Sequence, residues 1–279
     1  SDLPVPRRSS HQAGAVVLTV AQLALPKRHP FATELTDISF TLRAGEILGV
    51  AGISGNGQQE LLGVLSGEDT RADNTMVLLD GTPIGKSGSA QRRARGIAFV
   101  PEERLGRGAV PALSLSSNIL LSHQNATTLR GGLIRRGALR QIASDIIARF
   151  NVKAGGPEAL AQSLSGGNLQ KFIVGREIMT RPRVLIVAQP TWGVDVGAAA
   201  QIRNELIAMR DAGCAVLVIS EELDELFEIA DRLMVIAKGR VSEPVPIAEA
   251  SVEQIGLCMA GLAAPTEPVQ TVALESQHA

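Results

Sequence analysis

The sequence predicts an α/β fold with a mainly parallel central sheet, an antiparallel β region and an inserted helical lobe. Short apolar segments typical of buried strands alternate along the chain with segments whose apolar residues recur at helical spacing. Alternating strands and helices of this kind normally form a parallel sheet with crossover helices. Between about residues 105 and 168 the pattern changes to helix and loop, which indicates a lobe inserted into the sheet domain.

The first half of the chain carries the predicted antiparallel region and the first buried strands. Its segment VVLTVAQLAL alternates and is rich in Val and Leu, which favours a strand. A two-residue Asp-Gly turn between apolar residues favours a hairpin. The predicted elements are strands at 16–25, 38–42, 46–51 and 97–100, a helix at 57–67 and a hairpin that turns at Asp80 and Gly81.

The second half predicts the helical lobe and the remaining strand–helix units. In the lobe, Ile142, Ile146 and Phe150 have the spacing of one apolar helix stripe. The predicted elements are helices at 139–150, 168–180, 198–211 and 222–230 and strands at 184–187, 215–219 and 233–237.

Composition excludes several classes of function. The 279 residues are 45% hydrophobic and 20% charged, with 27 basic and 28 acidic side chains, which is an ordinary globular composition. Near-neutral charge, 3% aromatic residues and no Tyr argue against a nucleic-acid partner. The two cysteines, Cys214 and Cys258, are too far apart in sequence to suggest a disulfide framework. No apolar run approaches the ~20 residues of a membrane span.

No metal site is predicted. The four histidines are expected in tails or polar loops, and they are His11, His29, His123 and His278.

At the ends of the chain, residues 1–15 are expected to be a linker because they are polar, contain Pro and show no periodicity. Their start without Met suggests a piece of a longer polypeptide, although a tag remnant on a complete protein is an alternative. Residues 16–261 form the predicted domain, and 262–279 are expected to be a disordered tail.

A glycine-rich loop between a buried strand and a helix is the first candidate site. Gly52 and Gly57 have the spacing of a phosphate-binding loop, but Gln58 and Gln59 stand where Lys and Ser or Thr are expected. Backbone N–H groups at 55–58 and the positive helix end could still receive an anion. A tight turn without a ligand is the alternative. The candidate residues are Gly52, Ser54, Gly55, Asn56, Gly57, Gln58 and Gln59.

The segment SLSGGNLQKFIVGREI, residues 163–178, is the most specific string in the chain. It resembles the signature motif of ATP-binding cassette (ABC) ATPases, Leu-Ser-Gly-Gly followed by Gln. Here the motif residues are Leu164, Ser165, Gly166, Gly167 and Asn168. Ser165 is expected to cap a helix whose N-terminus points outward as a second anion site. The resemblance implies that this motif closes over ATP held by a partner cassette in a head-to-tail dimer.

Three further motifs follow the order of the family, and the resemblance covers about residues 17–261. FVPEER is similar to the family loop that contacts membrane subunits, with Glu102 in place of Gln. RVLIVAQPTWGVDVG resembles the Walker B strand and the D-loop, with Ala188 and Gln189 in place of Asp and Glu and with the acid kept at Asp195. LVISEELDEL resembles the switch-histidine region, with Glu221 in place of His.

These departures imply a degenerate nucleotide site. Gln58 lacks the charge for phosphate, Gln59 is a poor substitute for the magnesium hydroxyl, and Ala188 and Gln189 have no carboxylate. Each lost charge-assisted contact is worth roughly 1.5–3 kcal/mol, so two or three losses weaken Mg-ATP binding about a hundredfold or more. Losing a general base costs a further ~10²–10⁴ in rate. We therefore expect no catalytic residue in this chain's own site and weak or no ATP binding by the isolated domain.

The motifs are most similar to the C-terminal half of tandem ATPases in simple-sugar and nucleoside ABC importers. LSGGNLQK, AQPTWGVDVG, FVPEER and EQIGLCMAG all resemble that subgroup. The resemblance implies ATP and Mg²⁺ in the assembled transporter, and a location at the cytoplasmic face of the membrane. It also implies three partners: an intact cassette on the same or another polypeptide, membrane permease subunits and, indirectly, a solute-binding protein. Glu103, Arg104 and Arg107 could dock a permease, or could lie on a solvated loop.

Two other classes of protein remain as alternatives. A soluble, non-transport ABC ATPase acting on ribosomes or DNA would normally keep its catalytic residues and carry a basic surface. A dinucleotide-binding oxidoreductase is suggested by Gly52, Gly55 and Gly57, but their spacing is not G-x-G-x-x-G. Asp73 and Asp80 also fall in the predicted hairpin, not at the end of a second parallel strand. Both alternatives are less favoured than the importer cassette.

Overall fold

The computed structural model describes residues 13–261. Its strands, in chain order, are β1 Val16–Leu25, β2 Leu35–Arg43, β3 Ile47–Ala51, β4 Val77–Leu79, β5 Thr82–Pro83, β6 Ile97–Val100, β7 Leu129–Arg130, β8 Leu133–Ile134, β9 Val184–Ala188, β10 Ala215–Ser220, β11 Arg232–Ala237, β12 Arg240–Val241 and β13 Val245–Pro246. Its α-helices are α1 Gln58–Ser66, α2 Ser89–Ala94, α3 Leu115–Asn118, α4 Arg136–Arg149, α5 Gly166–Ile178, α6 Val196–Asp211, α7 Leu223–Ile229 and α8 Val252–Met259.

The central sheet is mainly parallel, which confirms the predicted fold class. Its strand order is β12-β11-β3-β10-β9-β6, and the five strands from β11 to β6 pair in parallel. Side chains alternate between two apolar clusters along each buried strand. In β9, for example, Leu185 and Val187 face the cluster that contains α4–α8 residues, whereas Val184 and Ile186 face the cluster of β1, β2 and α1. The sheet is therefore covered on both faces, as parallel sheets require.

The antiparallel β region is also present. A second sheet has the order β2-β1-β4-β5, with β1 paired antiparallel to both β2 and β4. The Asp80–Gly81 turn joins β4 to β5 in left-handed backbone conformations, φ 48° and 75°. The predicted hairpin is therefore correct, and this sheet packs with α1 against one face of the central sheet.

The inserted lobe contains α3 and α4, but it also contains a small β7-β8 hairpin that the sequence analysis did not predict. All three residues of the predicted stripe on α4 pack against the core, although the stripe is centred differently. Ile146 and Phe150 are fully buried, but Ile142 is only half-buried and Leu139 and Ala143 take the core positions. α4 lies against α5 at Gly175, where a Cβ would be 2.6 Å from the Phe150 ring. The lobe is thus packed onto the helix that carries the signature motif.

Some local predictions need correction. The helix predicted at 168–180 begins two residues earlier, at Gly166, and ends at Ile178. His123 was expected in a polar loop, but it is 6% exposed and its Nε2 lies 3.0 Å from the Arg176 carbonyl oxygen. The reason is that the chain after α3 turns inward against α5.

His11, His278, most of the expected linker and the expected tail lie outside the described residues. Among residues 13–261, no helix has the length and apolar character needed to cross a bilayer.

Candidate functional site

The glycine-rich loop joins the buried strand β3 to α1, where a phosphate-binding loop would lie. Gly55 and Gly57 have φ values of 86° and 107°, which non-glycine residues rarely adopt. At Gly52 a Cβ would lie 2.6 Å from the Ile236 side chain and 2.8 Å from Gln58 Nε2. The backbone of the cradle is therefore preserved and depends on its glycines.

The side chain of Gln58 turns back into this cradle. It is 8% exposed. Its Oε1 accepts the Asn56 N–H at 3.0 Å, and its Nε2 donates to the Ile53 carbonyl at 2.6 Å. One of the backbone donors that an anion would need is thus already paired. The hydrogen-bonding groups of the loop are paired with the side chain of Gln58, at the position where a lysine would contact phosphate.

Gln59 also lines the cavity at the glycine-rich loop and connects α1 to the loop after β6. Its Nε2 donates to Glu102 at 2.7 Å, and its Oε1 accepts from Arg107 at 3.1 Å. Arg107 also pairs with Glu68. Gln59 therefore links Glu102 to Arg107, and both polar atoms of its side chain are paired within the protein.

Two carboxylates, Glu102 and Glu221, line the remaining cavity. Burial, then the charges of Glu221 and Glu103, raise the pKa of Glu102, against hydrogen bonding from Gln59 and attraction by Arg107. The volume of the cavity between these groups is about 20 Å³, which accommodates about one water molecule. Its lining consists of Ser54, Gly55, Gln58, Gln59, Leu62, Glu102, Ala188, Gln189, Ile219 and Glu221. Sequence reasoning therefore identified most of the residues that meet here.

Gln189 follows the buried strand β9 and lines the cavity, but its side-chain oxygen is already hydrogen-bonded. Its backbone is left-handed, with φ 47°, and its N–H donates to the Ile219 carbonyl at 2.8 Å. Its side-chain Oε1 accepts the Glu221 N–H at 3.2 Å. An amide held in this way by the backbone has no proton-accepting role at neutral pH.

The residues lining this site supply few of the groups that bind magnesium-bound triphosphate. Ala188 offers no ligand, Gln58 occupies the cradle, and the nearby acids repel an anion. Within residues 13–261, no group of three or more His, Cys, Asp or Glu side chains is placed to hold a metal ion.

The signature residues form a second candidate site, or station, at the N-terminus of α5; the glycine-rich loop is the first. Ser165 is the N-cap, as the sequence predicts, and its Oγ accepts from the Asn168 backbone at 3.5 Å and from Asn168 Nδ2 at 2.9 Å. Ser165 and Gly166 are exposed, whereas Leu164, Gly167 and Asn168 are half-buried. The positive end of a 13-residue helix is thus presented to the surroundings.

Asp195 lies close to this station. A Cβ on Gly167 would be 3.6 Å from the Val194 side chain, so the residue before Asp195 touches the signature. Asp195 caps α6, with Oδ1 accepting the Ala198 N–H at 2.9 Å. That hydrogen bond lowers the pKa of Asp195, and Lys171 adds to the effect. No signature residue lines the cavity at the glycine-rich loop, so the described chain presents two distinct stations.

The loops are held in place by residues that no motif in the sequence had indicated. Thr33 donates to the Gly55 carbonyl at 2.8 Å, and Asn56 Oδ1 accepts the Lys238 N–H at 2.9 Å. Both contacts span long stretches of sequence, so no local pattern reveals them. Arg104 and Arg107 do not form a freely solvated loop, because Arg104 bonds Gln170 and Trp192 and Arg107 bonds Glu68. Glu103 is exposed.

Comparison with known proteins agrees with these motifs. Residues 35–192 match the family model described as ABC transporter. The ribose import ATP-binding protein RbsA 1 of Rubrobacter xylanophilus is 39% identical over 228 residues, which cover 81% of this chain and 46% of that protein. The guanosine import ATP-binding protein NupO of Bacillus subtilis is 37% identical over 251 residues, 90% of this chain and 49% of that protein. This chain spans about half the length of the curated relatives it matches.

Solved structures support the fold. An ATP-binding subunit of an ABC transporter has a TM-score of 0.69 at 18% identity, over 88% of this chain and 99% of that chain. A dimeric bacterial ABC transporter cassette also has a TM-score of 0.69 at 18% identity, over 82% and 98% of the two chains.

Proposed function

This chain belongs to the ABC transporter family, and from that premise we propose that it is a degenerate ATP-binding cassette of an importer for simple sugars or nucleosides. In this proposal its signature closes over ATP that a partner cassette holds, and its own loop carries out no hydrolysis. The names of its relatives, which include ribose, xylose and guanosine import proteins, support the class of solute.

The proposal rests on a difference between the glycine-rich loop and the signature. The glycine-rich loop is filled by the Gln58 carboxamide and opens on a cavity of about 20 Å³. The signature, in contrast, presents a capped helix N-terminus at exposed residues Ser165 and Gly166. A helix end of this kind binds phosphate oxygens through its N–H groups and its dipole. The chain is therefore better suited to complete a partner's site than to run its own.

The proposed assembly follows from the same contrast. An intact cassette, on the same polypeptide or another, would supply the lysine, the magnesium ligands and the general base that this chain lacks. Permease subunits would bind the pair at the cytoplasmic face of the membrane, and a solute-binding protein would act through the permease. ATP and Mg²⁺ are then cofactors of the assembled transporter, and the binding residues contributed by this chain are Leu164, Ser165, Gly166, Gly167 and Asn168.

Two substitutions in the assembled transporter test this proposal. Ser165→Arg removes the hydroxyl cap and places a bulky side chain where the helix must approach the partner's phosphate. We expect ATPase activity and transport to collapse while ATP still binds to the partner's loop. Gln58→Ala is the matched control at the other station, and most activity should remain because no phosphate is cleaved there. The proposal is wrong if Gln58→Ala abolishes turnover while Ser165→Arg is tolerated.

A further inference from the structure

Arg104 lies on the loop after β6, and the backbone of this loop is fixed by its own hydrogen bonds. The Ala109 N–H donates to the Arg104 carbonyl at 2.7 Å, and the Gly108 N–H donates to the Glu103 carbonyl at 2.9 Å. At Gly108 a Cβ would lie 2.9 Å from both the Arg104 carbonyl and the Ile173 side chain, so the turn is pressed against α5. The Arg104 side chain therefore starts from a defined position.

The guanidinium of Arg104 joins two elements that carry signature and D-loop residues. Its Nε donates to Gln170 Oε1 on α5 at 3.1 Å, and its Nη2 donates to the Trp192 carbonyl on the loop between β9 and α6. Gln170 is 1% exposed, and its Nε2 donates to the Pro190 carbonyl on that same loop at 3.0 Å. Arg104 and Gln170 thus connect α5 to the loop before Asp195 by two parallel routes.

Gly166 makes room for this contact, and Gly193 borders it. A Cβ on Gly166 would lie 2.6 Å from Arg104 Nη1, and one on Gly193 would lie 3.6 Å from Nη2. The guanidinium also lies 5.8 Å from the centroid of the Trp192 ring. It is therefore packed between the first residue of the signature helix and the loop that leads to Asp195.

The charge of this arginine is unfavourably placed with respect to the dipole of α5. A cation beside a helix N-terminus opposes the helix dipole, which favours anions there. Burial also lowers the pKa of Arg104. Its position is maintained by directed hydrogen bonds to two oxygen acceptors, a geometry that the planar guanidinium can satisfy and a lysine cannot.

We propose that Arg104 is a positioning residue that fixes the signature relative to the D-loop. It sets the spacing between Ser165 and Asp195, so that both are presented together to the partner cassette. This inference rests on the proposed function, because it assumes that the signature serves ATP bound elsewhere. Arg104 acts through Gln170 and Trp192 and contacts no reacting atom.

The test is the ATPase of the assembled transporter with Arg104→Met. We expect kcat to fall about 10- to 100-fold, because small misplacements of a catalytic station have effects of that size. KM for ATP should change less than about threefold, since the partner's own loop holds the nucleotide. Arg71→Met is the matched control. Arg71 also bonds one side chain, Asp69, and one backbone carbonyl, that of Pro26, but it lies away from both stations.

Two further variants separate positioning from charge and from general stability. Arg104→Lys keeps the charge and most of the stem, so it should fold normally, yet it should remain impaired because it lacks the fork. Arg104→Met combined with Gln170→Met should lower kcat no further than the more damaging single change, because both act on the same connection. Full rescue by Lys, or additive losses in the double variant, would overturn the inference.

The Ser165→Arg variant shows which idea has failed. If Ser165→Arg abolishes turnover while Arg104→Met is fully active, the proposed function stands and the positioning role is wrong. If both variants are fully active, the signature does not serve a partner's ATP, and the proposed function fails as well.

Discussion

A glutamine in place of a lysine removes a charge, and it also adds a hydrogen-bond acceptor. At position 58 that acceptor takes the Asn56 N–H, while the amide donates to the Ile53 carbonyl. The missing charge is readable from the sequence. The occupied cradle is not, because it depends on how close the loop backbone comes to its own side chain.

Gln58→Lys therefore should not create a second active site in the assembled transporter. The lysine restores one phosphate contact, but Ala188 and Gln189 still provide neither a magnesium ligand nor a general base. We expect the maximal ATPase rate to stay within about twofold of the unsubstituted protein, as for a change outside the reacting groups. Doubling or more of that rate, with two nucleotides hydrolysed per cycle, would contradict the degenerate assignment.

Glu102 should make stability depend on pH. The pKa of Glu102 in the folded protein is raised above its usual value of 4.5. Just above pH 4.5, Glu102 therefore stays protonated in the folded protein but is ionised in the unfolded chain. Stability from this group is therefore lost as pH rises through the window between the usual and the raised pKa. Glu102→Gln should reduce that loss in urea unfolding followed from pH 4 to 7, whereas Glu253→Gln, on the exposed side of α8, should not.

At the scale of elements, the sequence was most informative for segments long enough to show a repeating apolar pattern. The buried strands and the helices α1, α5, α6 and α7 lie within a few residues of their predicted bounds. No prediction was made for α2, α3, α8 or the β7-β8 hairpin, and α2, α3 and the hairpin are too short to show a period. Gly131 and Gly132, with φ values of 57° and 78°, were the available signal for that hairpin.

The contact between α4 and α5 gives a stability prediction. Gly175→Ala places a methyl group 2.6 Å from the buried Phe150 ring, and overpacking of this kind costs about 1–3 kcal/mol in the free energy of unfolding. Gly137→Ala, in α4, meets no atom within 4 Å and should stabilise by up to about 1 kcal/mol. Urea unfolding of both variants measures the difference, and equal midpoints would show that the lobe is not packed as described.

At the scale of the whole molecule, the isolated domain should fold but bind Mg-ATP weakly and show no turnover. Its core lies on both faces of one sheet, whereas its nucleotide station lacks the charges that hold a triphosphate. Calorimetry and a phosphate-release assay on the purified domain test this, with Ser165→Arg as a control that should change neither result. Low-micromolar affinity for Mg-ATP, or turnover above background, would contradict it.

The two cysteines offer an independent check of the packing. Burial raises the pKa of Cys214 to about 12, and its side chain is 5% exposed. We expect Cys214 to resist a thiol reagent at pH 8 in the native domain and to react after unfolding, since the thiolate is the reactive form. Mass spectrometry before and after denaturation measures this, with the half-buried Cys258 as internal reference.

The fold class and the two stations followed from local strings, but the connections between stations did not. Arg104 and Gln170 are 66 residues apart, and Asn56 and Lys238 are 182 apart. Pairs at such separations leave no periodic pattern in a single sequence. The same limit explains why His123 was placed in a polar loop when tertiary packing buries it.

The hydrogen bonds of Asn56 have a consequence for dynamics. Its N–H is held by Gln58, its side chain bonds Ile53 and Lys238, and its carbonyl accepts the Gly239 N–H. The conformational entropy of ordering this loop is therefore lost on folding rather than on ligand binding. The Asn56 amide hydrogen should exchange slowly with deuterated solvent, and at the same rate with and without nucleotide, because it is hydrogen-bonded within the protein, to Gln58 Oε1.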